Sequence, residues 1–538
     1  MSEPSRTAAT PRRTKLRDRP ASPPAARWPC PQPPRPRLCF QPAAHREEAG
    51  LIRSVKRGLV VLAVVAATIL GVRIYDSERG PELEPWHVYV PPELSRAEID
   101  KADWAAYLAA EARVFEALRI NVTQRLDPVD RIPINRYFDG SPVYPGRFGR
   151  DWNRSFVLEP AGATGGAVVL LHGLTDSPYS VRHIAERYRA RGYLAIAVRL
   201  PAHGTVPAAL TDIAWEDWLA ATRLAVREAR RRVGPSRPLH LVGYSNGGAL
   251  ALKYALDALD DPQLSRPDRL VLISPMIGVT GFARFAWLAD LPAVFPAFAK
   301  AAWLNVLPEF NPFKYNSFPV NGARQSHRLT AALQRAIAQA AGAGKLSRLA
   351  PILTFQSVID STVSTQAVVS ALYAQLPANG SELVLFDLNR AAKLGLLFRP
   401  ATETVLSRLL PVAPRRFRTT VIANADAGTG GMEARTTEAD AVTERAARLD
   451  LSYPGDVYSL SHIALPFPTS DALYGADPDA GETYGVRLGS FAARGESGAL
   501  VINLDSLLRM TSNPFFPYLM ARIEEGIPTA VGAAPRRP

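Results

Sequence analysis

One stretch, Pro238–Leu252 (PLHLVGYSNGGALAL), restricts what this chain can fold into more than any other. Leu239–Val242 is a short apolar run that reads as a buried strand, and an alanine- and leucine-rich helical pattern follows it. Between them stands Gly243-Tyr244-Ser245-Asn246-Gly247, a G-x-S-x-G pattern in strand–turn–helix context. A turn that sharp holds its serine in strained backbone and leaves no room for neighbouring Cβ atoms, so the glycines on either side relieve the crowding. The serine oxygen then projects beyond the strand end at a helix N-terminus, where the dipole favours developing negative charge. The alternative is a glycine-rich turn of any α/β protein. Partners for the serine elsewhere in the chain decide between the two.

The pattern around this stretch alternates strand and helix. Strands are predicted at 167–171, 193–198, 239–242, 270–273, 351–358 and 383–386, with helices at 178–191, 215–232, 246–259 and 365–375. Such alternation specifies a mostly parallel, doubly wound sheet with ligands bound at the carboxyl ends of its strands, where Ser245 sits. Two segments interrupt it. Residues 276–330 are crowded with aromatics, among them Phe282, Phe285, Trp287, Phe295, Trp303 and Phe313, and are expected to form a cap over an apolar pocket. Residues 389–455 are a second insertion, with a strand-like piece at 417–423. Residues 133–160 are expected to supply an antiparallel edge, 499–503 a further strand and 514–525 a terminal helix.

The net charge of +13 suggests a polyanion partner until it is located. Residues 1–57 hold 13 Lys and Arg against 4 Asp and Glu, which leaves only +4 for the rest, so no nucleic-acid surface is predicted. Residues 1–50 are rich in Pro, Arg, Ala and Ser without apolar period, and read as a disordered tail. Leu51-Ile-Arg-Ser-Val-Lys-Arg resembles the start of a bacterial anchor segment, which makes Leu51 a candidate initiation position. Residues 51–75 are expected to be a membrane anchor. Gly58–Val72 carries no charge and spans about 23 Å as a helix, and Ile74-Tyr75 extends it to about 27 Å with Arg73 snorkelling. Lys56-Arg57 ahead of it predicts a cytosolic N-terminus and an exported body, anchored through residues 58–75, and no small-x-small cleavage site follows. Residues 76–132 are a linker plus a helix from Ser95 to about Leu118, whose apolar stripe should pack on the body at 133–538.

A serine nucleophile needs a base to take its proton and a third group to orient that base. On a sheet with this elbow the chain order is Ser, acid, His. Only His327 and His462 follow Ser245; His327 precedes the next sheet strand, which leaves His462 as the base. Asp360, just beyond the 351–358 strand, is the expected acid, with Asp387 as the alternative. Oxyanion donors are expected from the N–H groups of Asn246 and of Leu174, in the loop Leu171-His172-Gly173-Leu174-Thr175. His172 is read as structural. No His, Asp or Glu cluster has metal-ligand spacing, and both cysteines, Cys30 and Cys39, lie in the tail, so no metal is expected.

These residues resemble the α/β-hydrolase superfamily, in particular its monoacylglycerol lipase, carboxylesterase and serine aminopeptidase-like branch. The matching pieces are LLHGLTDSPYSVRHIAE (170–186), GYLAIAVRLPAHGT (192–205), GYSNGGALAL (243–252) and VIDSTV (358–363). Asn246 departs from the Met usual at that position, and the 102-position separation of Asp360 and His462 is several times the usual spacing. The resemblance implies an α/β-hydrolase fold with a cap, preceded here by the anchor helix, and ester hydrolysis through an acyl-enzyme without cofactor. The expected substrate is a small or lipid-like acyl ester; a serine aminopeptidase-like peptidase and a non-catalytic binding protein are the alternatives.

Overall fold

A computed structural model describes residues 54–61, 63–65, 67–68, 71–72, 75, 79–278, 296–391, 404–426, 430–455, 457–491 and 511–528. Contacts divide the chain into Met1–Val65 and Ala66–Pro538, and the sheet and its helices belong to the second unit. Ten described strands form one sheet: β1 (Phe156–Leu158), β2 (Gly166–Leu171), β3 (Tyr193–Val198), β4 (Leu239–Tyr244), β5 (Arg269–Ile273), β6 (Ile352–Ser357), β7 (Glu382–Phe386), β8 (Arg418–Asn424), β9 (Gly431–Thr437) and β10 (Glu444–Ser452). Their order across the sheet is β1-β3-β2-β4-β5-β6-β7-β8-β9-β10. Neighbours from β3 through β8 run parallel, while β1 and the β8–β9–β10 meander are antiparallel.

The central strands are apolar on both faces because helices cover both. In β2, Ala167, Val169 and Leu171 enter one core and Val168 and Leu170 the other. The first core lies under α4 (Trp215–Val233), α5 (Asn246–Asp257) and α6 (Val320–Gly342), with the fully buried Trp218 in it. The second lies under α3 (Arg182–Ala190) and α7 (Phe516–Glu524).

The N-terminal extension packs on the body, but as two helices, α1 (Arg96–Lys101) and α2 (Trp104–Asn121). Asp103 restarts the chain by capping the Ala106 N–H, a signal that the single apolar stripe conceals. Arg199, at the end of β3, fixes this extension: its guanidinium meets Glu93 at 2.7 Å and Glu111 of α2 at 3.2 Å, all three nearly buried. The described part of the 389–455 insertion extends the sheet. Its β8 continues the parallel sheet, and β9 and β10 add a hairpin whose outer strand carries Glu444, Arg445, Arg448 and Asp450 along an open edge. Only Phe156–Leu158 of the expected 133–160 edge is strand, and residues 499–503 lie outside the described residues.

The expected anchor at 51–75 is described only in part: 51–53, 62, 66, 69–70 and 73–74 lie outside the described residues, as does the 1–50 tail. Among the described residues no helix is long and apolar enough to cross a membrane; residues 54–61 are helical and exposed, and eight residues span about 12 Å. One expectation needs correction, the cap. Residues 279–295 are outside the described residues, α6 occupies its C-terminal part, and two aromatics read as pocket lining are core instead: Phe313 stacks on Tyr179 at 4.2 Å, and Trp303 packs edge-on against His87.

The segment after β10 is tied back to the sheet by buried charge. Asp471 receives Arg182 of α3 at 2.6 Å, His183 at 2.8 Å and the Tyr179 hydroxyl at 2.9 Å. Burial alone would push the Asp471 carboxyl up, but Arg182, His183 and the Tyr474 N–H hold it well below the usual carboxylate range. A depressed carboxyl stabilises the fold above its unfolded pKa, and that stability is lost only as pH falls through the folded value. Asp471→Ala should therefore cost about 3–5 kcal/mol in urea unfolding at neutral pH by leaving the buried Arg182 with only its long, 3.4 Å contact to the half-exposed Glu482. The difference from wild type should persist at pH 5; a loss under about 1 kcal/mol contradicts this role.

Candidate active site

Ser245 sits between β4 and α5 with φ 53° and ψ −115°, left-handed backbone that a residue with a Cβ adopts only under constraint. The constraint is visible in its neighbours. A Cβ on Gly243 would lie 2.3 Å from the Gly247 carbonyl oxygen, and one on Gly247 would lie 2.2 Å from that of Leu171. The Ser245 N–H donates to Ile273 O at 2.9 Å and its carbonyl accepts the Met276 N–H at 3.0 Å, so the turn is held from β5 and the loop after it.

The structure brings Ser245, His462 and Asp360 into one chain of contacts. His462 Nε2 is 3.0 Å from Ser245 Oγ, and His462 Nδ1 is 2.8 Å from Asp360 Oδ2. The carboxylate can only accept, so Nδ1 carries the proton and Nε2 is free to accept from the serine hydroxyl. All three residues are buried. The histidine loop is anchored by the Tyr244 hydroxyl, which donates to the His462 carbonyl at 3.3 Å, and by Asn389, which donates to Val457 O at 2.6 Å.

Asp360 is oriented by groups that sequence reasoning missed. Its Oδ1 accepts the N–H groups of Thr362 and Val363 at 2.9 and 3.0 Å, and its Oδ2 accepts Gln356 Nε2 at 3.0 Å. The first two form an Asx-type turn legible in Asp360-Ser361-Thr362-Val363. Gln356 sits inside β6 and carries no local signal.

Asn246 follows the serine directly, and Leu174 follows Gly173 in the loop after β2. Asn246 is the first residue of α5, so its N–H has no acceptor within the helix. Gly173 comes so close that a Cβ there would lie 3.4 Å from Ser245 Cβ. His172 is buried, and its Nε2 accepts the Leu200 N–H at 3.0 Å; its Nδ1–H then donates to Gly173 O at 2.9 Å. Burial, with His203 and Arg199 nearby, pulls the His172 pKa well below its ordinary value, so the ring stays neutral and keeps this arrangement. Because C=O and N–H of one peptide point opposite ways, that bond also fixes the direction of the Leu174 N–H.

The alternatives are placed elsewhere. Asp387 is buried at the end of β7 and pairs with Arg390 at 3.3 Å. His327 lies within α6 and bonds to neither Ser245 nor Asp360. Among the described residues no group of His, Cys, Asp and Glu could hold a metal ion.

Residues 162–388, less than half of the chain, match a family model described as serine aminopeptidase, S33. A thermostable monoacylglycerol lipase of Bacillus sp. (strain H-257) is 33% identical over 88 residues, which are 16% of this chain and 34% of that protein; the match thus spans about a third of the relative. Among solved structures, a chain from work on LipS and LipT, two metagenome-derived lipolytic enzymes, is 22% identical with TM-score 0.36, covering 44% of this chain and 88% of that one. A soluble variant of monoglyceride lipase from Saccharomyces cerevisiae is 14% identical with TM-score 0.34, covering 43% and 81%. The family match falls on the parallel sheet and the serine elbow described above, and the chain is a member of the α/β-hydrolase superfamily.

Proposed function

We propose that this protein is a serine hydrolase of carboxylic acyl esters, resembling carboxylesterases and monoacylglycerol lipases. The observation that carries this is the continuous chain from Ser245 Oγ through the His462 ring to the Asp360 carboxylate, 3.0 and 2.8 Å long in its two links. In this reading Ser245 Oγ attacks the ester carbonyl while His462 Nε2 takes its proton. The oxyanion is held by the Leu174 and Asn246 N–H groups. Collapse expels the alcohol, which leaves with the proton from His462, and the acyl group stays on Ser245. Water, deprotonated by the same nitrogen, then releases the acid. Asp360 remains ionised throughout and stabilises the imidazolium. The part of 276–330 ahead of α6 would cap the acyl pocket.

The serine aminopeptidase description of the matching family favours a second reading, cleavage of an N-terminal amide. Turnover of p-nitrophenyl esters against aminoacyl p-nitroanilides separates the two, and the esters are expected to prevail. A membrane anchor at 58–75, with the catalytic body exported, is likewise proposed from the charge-free run behind Lys56-Arg57. The chain should then stay with membranes after a carbonate wash; recovery in the supernatant rules the anchor out.

A fluorophosphonate probe should label Ser245 alone, and Ser245→Ala should abolish labelling. His462→Ala should cost about as much in kcat as Ser245→Ala, on the order of 10⁶-fold, since the two act as one unit. Asp360→Asn should cost about 10⁴-fold and His327→Ala almost nothing. His172→Ala should lower kcat by about 10²-fold with KM little changed, as expected of a positioning residue behind an oxyanion donor. Activity that survives His462→Ala but not His327→Ala would overturn the assignment.

A further inference from the structure

We propose that the Asn246 side chain sets the substrate preference of Ser245, favouring acyl esters with a hydroxyl two or three bonds from the scissile carbonyl. This deepens the ester-hydrolase reading above and rests on it. Asn246 directly follows the nucleophile and is fully buried, at 0% exposure. Neither its Oδ1 nor its Nδ2 has a hydrogen-bond partner. A buried amide left unbonded is costly, and native proteins satisfy the large majority of such groups. An unpaired one beside a nucleophile points to a partner that arrives with the substrate.

The direction of the side chain follows from α5. The next two residues turn toward the sheet: a Cβ on Gly247 would lie 2.2 Å from Leu171 O, and one on Gly248 would lie 2.8 Å from Pro275 Cβ. Asn246 is one helical step ahead of Gly247 and therefore points off the sheet. Its Cα–Cβ bond tilts toward the helix N-terminus, the end that meets Ser245. The other polar side chains described at the site are engaged: Tyr244 with the His462 carbonyl, His172 with Leu200 and Gly173, and His462 with Asp360 and Ser245. In the proposed reaction the alcohol must face His462, which protonates it, so the acyl chain is the part that passes the α5 terminus. Adjacent Cα atoms are about 3.8 Å apart, which keeps the amide within reach of groups near the carbonyl. The amide is neutral and offers one acceptor and two N–H donors; a hydroxyl can donate to the first and accept from the second. A charged group would gain no counter-charge from it.

The test compares racemic ethyl 3-hydroxybutyrate with ethyl 3-methylbutyrate, in which a methyl group replaces the hydroxyl, by acid release from the purified full-length chain in a pH-stat. The wild type is expected to favour the hydroxy ester in kcat/KM by at least about tenfold, because the methyl ester leaves the amide unpaired. Asn246→Leu, of similar size, should bring that ratio to one or below; Asn246→Met, equally apolar, replaces it if the leucine variant fails to fold. Each variant keeps the backbone N–H at 246, so an effect on the oxyanion alone would move both esters together and leave the ratio as in the wild type. Equal turnover of the two esters by the wild type, preference for the methyl ester, or a wild-type ratio retained in Asn246→Leu or Asn246→Met overturns the proposal and leaves the ester reading standing. Hydrolysis of neither ethyl ester also overturns it, and if p-nitrophenyl acetate is left intact as well, the ester reading falls with it.

Discussion

The structure depends on a close approach of backbones that only glycine permits. The β4–α5 elbow folds so tightly that Gly243 faces the Gly247 carbonyl, while Gly247 lies directly on Leu171 O at the end of β2. Any side chain at Gly247 would push α5 off the sheet. This contact lifts Ser245 out of the strand and sets it against Gly173, where the β2 loop brings its backbone past the serine. The left-handed backbone at Ser245 costs on the order of 1–3 kcal/mol, which is offset by hydrogen bonds to Ile273 O and from the Met276 N–H and by the core beneath α5. Strain and nucleophile position are thus two aspects of one packing constraint.

Around that fixed point the remaining parts are held by buried polar contacts between distant segments. Asp471 ties the polypeptide after His462 to Arg182 on α3, and Arg199 ties the N-terminal helices to the end of β3. In a low-dielectric interior such networks tolerate few geometries, because a displaced partner leaves a buried charge unpaired. Gln356 and the Asx turn do the same on a smaller scale for Asp360.

Local features were legible in the sequence. The elbow declares itself through Gly243, Ser245 and Gly247, and the central strands through unbroken apolar runs such as Ala167–Leu171. His462 emerged because only two histidines follow Ser245, although its distance from Asp360 is unusual. That distance is now accounted for by β7 and the β8–β9–β10 extension, of which only β8 has a plain apolar pattern. ERAARLDLS is a charged edge strand whose exposure erases the alternation that would mark it, while GMEARTT lies inside the sheet with only Met432 and Ala434 as apolar core positions. The Arg182–Asp471 pair joins residues 289 positions apart, so no window of sequence contains it. Phe313 looked like pocket lining because composition alone does not separate a cap aromatic from one stacked in the core.

The central claim is that an acyl group passes through Ser245 with His462 as its base. The most direct measurement is the pre-steady-state course of p-nitrophenyl acetate turnover, quenched in acid and followed by peptide mapping. The account predicts a burst of about one nitrophenolate per chain and an acetyl group on the peptide that contains Ser245. A linear course from the first turnover, with the acetyl group absent or on another residue, would contradict it.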